Sequence, residues 1–204
     1  MTTTDKIDLF KELKKTEYKQ PKKPVLVEVS KGSFLAVEGK GAPGGEEFQA
    51  KIGALYSMAY TIKMTRKFDG KQDYAISKLE GQWWCEHGPD LKSYPQDEWL
   101  WKLMIRTPDF VKKKEVQQAA GVLLKKDKAP EVNDVRLETL DEGPCVQMLH
   151  VGPYDREWET IAQMLAFAKE QGLETHGRHH EIYISDARRV PPEKLKTILR
   201  MPVR

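Results

Sequence analysis

The 204 residues carry 34 Lys and Arg against 31 Asp and Glu, a net charge of +3, with 39% hydrophobic and 32% charged residues. That balance excludes a disordered chain, and because Lys and Arg alternate with Glu and Asp it offers no concentrated basic face for nucleic acid. No apolar run approaches the ~20 residues of a membrane span, and no apolar core follows the N-terminal charges, so a cytoplasmic protein with neither membrane nor nucleic-acid partner is expected. Cys85 and Cys145 lack CxxC spacing and are expected to be buried free thiols.

Residues 1–23 are polar, with Ile7, Leu9, Phe10 and Leu13 as apolar anchors before Pro21 and Pro24, and are predicted to form a short helix and a linker. Residues 24–87 form a first module. Val25, Val27 and Val29 alternate with Leu26 and Glu28, and Phe34-Leu35-Ala36-Val37 resumes the pattern as one long bent strand. Phe48, Ile52, Leu55, Ala59 and Ile62 then recur at the steps of one helical face, ended by Asp69-Gly70. Strands at 73–78 and 82–86 complete a β-α-β-β unit. Residues 88–130 are predicted to be a helical insertion, one helix starting at Tyr94-Pro95-Gln96-Asp97 and covering 98–105, a second covering 111–126. Residues 131–204 repeat the plan. Gly143-Pro144-Cys145-Val146 takes the place of Gly32-Ser33-Phe34-Leu35, and Gly152 that of Gly41. Trp158, Ile161, Leu165 and Ala168 form the helical stripe before Gly172, and strands follow at 180–185 and 196–203. The predicted fold is α+β: two β-α-β-β modules related by a pseudo-two-fold, antiparallel sheets with helices on one side, and a cleft at the module interface.

Gly39-x-Gly41-x-x-Gly44 lies between strand and helix, the minimal dinucleotide fingerprint. The short parallel unit with an acidic strand end that should follow is missing, so a plain strand-to-helix loop is expected, and with no Gly-Lys-Ser/Thr a P-loop is excluded. His176, His179, His180 and Glu181 have the residue types of a zinc set, but neighbours on a strand point to opposite faces, so His180 and Glu181 do not share a ligand shell. Solvated histidines, no metal and no cofactor are expected. The alternation puts His180, Ile182 and Ile184 on one face, where the isoleucines cover the helices, and Glu181 and Tyr183 on the other, toward the cleft. A carboxylate among apolar walls is poised for acid–base work or for holding a cation. Trp83, Trp84, Trp99 and Trp101 crowd one stretch, and Tyr56 and Tyr60 stand at i, i+4 beside the helical core stripe. One of each adjacent Trp pair must leave the core, and an aromatic-lined pocket is one answer.

His180-Glu181-Ile182-Tyr183-Ile184-Ser185-Asp186-Ala187-Arg188-Arg189 and the run from Pro192 to Val203 resemble the GyrI-like small-molecule-binding family. Leu79-Glu80-Gly81-Gln82-Trp83-Trp84, the run from Trp99 to Arg106 and Val151-Gly152-Pro153-Tyr154 resemble its free-standing branch. The resemblance covers residues 24–204 and implies paired modules with a ligand groove, Glu181 taking the place of the glutamate that faces cationic drugs in multidrug-sensing relatives. Residues 1–23 are too few for a DNA-binding helical domain. The free-standing branch is similar to cyclopropanoid cyclopropyl hydrolases, which open the strained ring of DNA-alkylating antibiotics. The resemblance thus implies a cofactor-independent hydrolase binding an apolar aromatic small molecule, with Glu181 as the base that orients water, Tyr183 as its hydrogen-bonding partner, and Tyr56, Tyr60, Trp83, Trp84, Trp99 and Trp101 as candidates for the aromatic cage. The alternative is a non-catalytic binder of multiple drugs, with Glu181 as counter-ion to cationic ligands.

Overall fold

The computed structural model describes residues 6–88, 91–126 and 130–204. Its elements are α1 (Leu9–Glu12), β1 (Val25–Val29), β2 (Gly32–Lys40), α2 (Glu46–Phe68), β3 (Leu79–Trp84), β4 (Leu100–Thr107), α3 (Lys113–Leu124), β5 (Arg136–Leu140), β6 (Gly143–Val151), α4 (Glu157–Glu170), β7 (His179–Tyr183) and β8 (Lys196–Pro202). The fold is α+β, and the strand–helix–strand–strand run occurs twice, as β2-α2-β3-β4 and β6-α4-β7-β8. The chain divides into two compact units. The first comprises residues up to Leu9, Gly32–Ser77 and Trp83–Leu140; the second comprises Phe10–Lys31, Lys78–Gln82 and Asp141–Arg204. Among the described residues no helix is long and apolar enough to cross a membrane.

In the first unit β2 is central, antiparallel to β4 on one side and to β5 on the other. The α2 stripe forms as its spacing predicts, with Leu55, Ala59 and Ile62 buried and Met58 added to them. Residues 98–105 are not a helix. The start signal at Pro95 yields only a turn at Gln96–Glu98, and Leu100–Thr107 is a strand, because pairing along β2 buries Trp101, Leu103 and Ile105 on alternate positions. Residues 73–78 form no strand either; Tyr74 makes a single bridge to Ile7. The predicted long bent strand is two strands, since the chain changes partners at Ser30-Lys31: Val29 lies opposite Gly143 and Gly32 opposite Leu140.

Trp101 explains the first glycine of the Gly39-x-Gly41-x-x-Gly44 run. A Cβ on Gly39 would fall 2.1 Å from the indole ring, so only glycine leaves that ring its place. Gly41, at φ +110°, turns the chain out of the strand, and its carbonyl accepts the Trp101 Nε1 hydrogen bond at 3.2 Å. Interior packing and turn geometry account for both glycines.

The second unit orders its strands β1-β6-β8-β7, all antiparallel. On one face α4 packs Met164 and Ala168 over Val146, Met148, Leu199 and Val203. The opposite face is covered by residues of the N-terminal segment: Phe10, Leu13 and Tyr18 lie on Ile182 and Ile198. Ile182 and Ile184 therefore pack with this strap, which includes α1 through Phe10, rather than with α4. Part of the stretch expected to be linker is thus core, and Tyr18 is fully buried.

Polar groups fasten the strap. The Tyr18 hydroxyl donates to Glu80 at 2.7 Å, Arg200 Nη2 donates to the Glu17 carbonyl at 2.6 Å, and Gln147 Nε2 donates to the Lys19 carbonyl at 2.8 Å. Arg200 also lies 3.2 Å from Glu142, whose other oxygen meets His180 Nδ1 at 2.9 Å, and His180 Nε2 lies 3.0 Å from Glu80. His180, expected in solvent, is completely buried within this network, whereas His176 is exposed as expected. Burial acts against an imidazolium, but Glu142 and Glu80 overcome it and hold the His180 pKa at about 9. Burial likewise acts against the Glu142 carboxylate, yet His180 and Arg200 bring it down to about 2.

Candidate functional site

Antiparallel register decides which face Glu181 occupies. Glu181 lies opposite Leu199 and Tyr183 opposite Thr197. Residues directly opposite point to the same side of a sheet, so both share the face that α4 covers at Leu199. The alternation read from the sequence holds, but the helix is on the carboxylate's side and not on that of the isoleucines.

The first residue of α4 supplies a second carboxyl. Glu157, Thr160, Met164 and Ala168 form the buried stripe of this helix, so the buried face is turned by one residue from the predicted Trp158, Ile161, Leu165 and Ala168; Trp158 is 47% and Leu165 44% exposed. Gly152, at φ +146°, and Pro153 lead the chain through a turn at Tyr154–Arg156 into the helix. His150 fixes that entry. Its Nε2 lies 3.2 Å from the Pro153 carbonyl and its Nδ1 2.9 Å from the Thr160 hydroxyl. The carbonyl can only accept, so Nε2 donates to it.

Glu157, His179 and Glu181 converge, each offering one donor atom within 4.8 Å of the others. His179 and Glu181 are two residues apart on β7 and therefore share a face; His179 Nε2 lies 3.2 Å from Glu181 Oε1. Burial, then the charge of Glu181, push the Glu157 carboxyl well above the usual carboxylate range, opposed by the nearby Thr197 hydroxyl. Glu157 therefore holds its proton. These three side chains are of zinc-binding types, and a cation bound among them would have to displace that proton.

Tyr154 and Tyr183 meet edge to face at 5.9 Å beside this group. Burial, followed by the neighbouring carboxyl groups of Glu157, Glu181 and Asp186, pushes the Tyr154 phenol up to about 12, so it remains a hydrogen-bond donor. Sequence reasoning singled out Glu181 and Tyr183, expected His179 in solvent, where it is half-buried, and did not single out Glu157 or Tyr154. The four-residue step from Thr160 to Met164 to Ala168, extended back to Glu157, was the available signal for Glu157.

The aromatic candidates lie in the first unit. Trp83 stacks on Phe48 at 5.7 Å and meets Trp99 edge to face at 6.1 Å; Trp101 meets Phe48 at 5.1 Å and is fully buried. These rings form one cluster. Of the adjacent pair Trp83 is buried and Trp84 half-buried, and Tyr56 stacks on Tyr60, which is 53% exposed.

Residues 22–204 match the model of the GyrI-like small molecule binding domain, and the chain belongs to that family. A crystal structure of an uncharacterized conserved protein from Listeria innocua is 44% identical, with a TM-score of 0.91, over 98% of this chain and 100% of that one. Crystal structures described as hydrolases from Listeria innocua are 43% and 42% identical, with TM-scores of 0.89 and 0.87 and the same coverage. The C-terminal domain of EcmrR, 11% identical over 89% of this chain and 97% of that one, shares the fold at a TM-score of 0.58. No curated protein matches the chain.

Proposed function

We propose that this protein is a cofactor-independent hydrolase that opens the cyclopropane ring of cyclopropanoid DNA-alkylating antibiotics, with Glu181 as the general base. The observation that carries this is Glu181 itself, a mostly buried carboxylate, its side chain 13% exposed, on the face that also carries Tyr183, whose ring Tyr154 meets. Support comes from relatives above 40% identity described as hydrolases.

In this reaction Glu181 takes a proton from water as the water oxygen bonds to the strained ring CH2. The ring carbon–carbon bond breaks, its electron pair moves through the dienone to the oxygen, and the resulting phenolate gains a proton from solvent while Glu181 releases to solvent the one it took. Tyr183 orients Glu181. Tyr154, which keeps its phenolic proton, is a donor for growing negative charge. A positioned base of this kind contributes about 10²- to 10⁴-fold. Among the aromatic candidates of the first unit, Tyr60 is exposed and Trp84 half-buried, whereas Trp101 is committed to the core.

The test is incubation of the purified protein with a cyclopropane-bearing alkylator, with mass spectrometry for the adduct of one water. Turnover is expected, and Glu181→Gln should abolish it while leaving much of the affinity. Binding without an adduct, lost in Glu181→Gln, would instead support the cation-binding alternative and end the hydrolase proposal.

A further inference from the structure

Glu157 has no part in the hydrolysis just described, yet it is the more deeply buried of the two carboxyls. Glu157 is buried and Glu181 half-buried. Two carboxyls this close in a buried site do not both carry charge; one keeps a proton and can donate it to the other. The backbone holds Glu157 in place. His150 bridges Pro153 and Thr160, residues before and after Glu157 in the chain, and a Cβ on Gly152 would come 3.2 Å from the imidazole that does so. Glu157 thus starts a helix whose entry is pinned to β6.

We propose that Glu157 is a positioning residue whose carboxylic O–H donates to Glu181 and fixes the carboxylate oxygen that receives the proton of water. Its catalytic consequence rests on the hydrolase proposal; the shared proton does not. The pair carries one negative charge in its working state, and a second ionisation turns the hydrogen bond into a repulsion. The groups next to Glu157 are Glu181 and His179 from β7, Tyr154 from the preceding turn and the Thr197 hydroxyl from β8. The direction of the Glu157 shift supports the same pairing.

Two readouts separate this from a purely structural role. With the cyclopropane-bearing alkylator, the wild-type kcat should follow a bell-shaped pH profile whose limbs belong to the pair. Glu157→Gln keeps an N–H donor, so it should lose the alkaline limb and fall less than Glu157→Ala, for which a drop of about 10²-fold in kcat with little change in KM is expected. Unchanged kcat and an unchanged alkaline limb in both variants overturn the proposal. So does loss of activity on chelation with recovery on adding zinc, since a metal would then hold the pair.

Isotope-edited infrared spectroscopy reads the shared proton without substrate. A protonated-carboxyl stretch at neutral pH that disappears in Glu157→Gln is expected. Its absence from the wild type overturns the pairing whatever the activity. Its presence in a protein that hydrolyses nothing supports the pairing and rejects the hydrolase.

Discussion

His180 Nδ1 and Glu142 Oε1 stand 2.9 Å apart, with side chains 0% and 3% exposed. The His180 pKa, raised to about 9, contributes stability that is complete below its ordinary 6.5 and is lost as the pH rises through 9. The Glu142 pKa, lowered to about 2, contributes stability present above its ordinary 4.5 and lost as the pH falls through 2. Urea unfolding between pH 2 and 10 should therefore give a maximum near pH 4.5–6.5. The fall on each side should be on the order of 3 kcal/mol, the single coupling seen from its two partners. A flat profile from pH 7 to 9 would show that His180 holds no extra proton. Glu142→Gln should cost about 3–5 kcal/mol, because it strands the buried charges of His180 and Arg200.

Glu157 acts on the stability of its own unit in the same sense as His180 and opposite to Glu142. Its raised pKa lets the folded state hold a proton that the unfolded state releases, so its contribution declines as pH rises above 4.5. Glu157→Gln removes that decline. Relative to the wild type, the variant should gain stability with increasing pH, at no more than about 1.4 kcal/mol per pH unit. Paired thermal melts at pH 5 and pH 8 check this, and an equal difference at both pH values would contradict it.

Gly39→Ala should be costly although it adds one methyl group. The new Cβ meets a rigid ring 2.1 Å away rather than the end of a flexible chain, and Trp101 has no open space to retreat into. Overpacking of this kind typically costs about 1–3 kcal/mol. A lower melting temperature with altered tryptophan fluorescence is expected; an unchanged melt would mean the indole sits elsewhere.

Adjacent residues on α4 should respond very differently to truncation. Met164 is fully buried and Leu165 is 44% exposed. Met164→Ala should therefore cost about 2–5 kcal/mol, and Leu165→Ala under about 1 kcal/mol. Denaturant titration of the two variants decides which face of the helix is inside.

Local patterns carried much of the fold. The α2 stripe and the alternation along β7 follow from periodicity, because burial on one face leaves a regular imprint on the chain. The departures occur where long-range pairing outweighs local preference. Leu100–Thr107 carries a helix start signal before it, yet it is drawn into the ladder beside β2. The partner change at Ser30-Lys31 has no local mark beyond Gly32, since β1 and β5 find their partners far along the chain. Glu181 was readable because a strand sorts its side chains by parity. Glu157 was hidden because a charged residue at a helix start normally faces water and favours the helix dipole there.

The family match begins at residue 22, but Glu17 and Tyr18 lie inside the second unit. The segment that carries them behaves as a ligand tethered to its own receptor: aromatic anchors, a buried hydroxyl and backbone carbonyls received by Ile182, Ile198, Glu80, Gln147 and Arg200. Covalent linkage supplies an effective concentration on the order of millimolar at no cost in new contacts. A chain cut before Pro24 would become an empty receptor, and a separate peptide of residues 6–23 would be its inhibitor of unfolding, required at that concentration to do what the linkage does unaided.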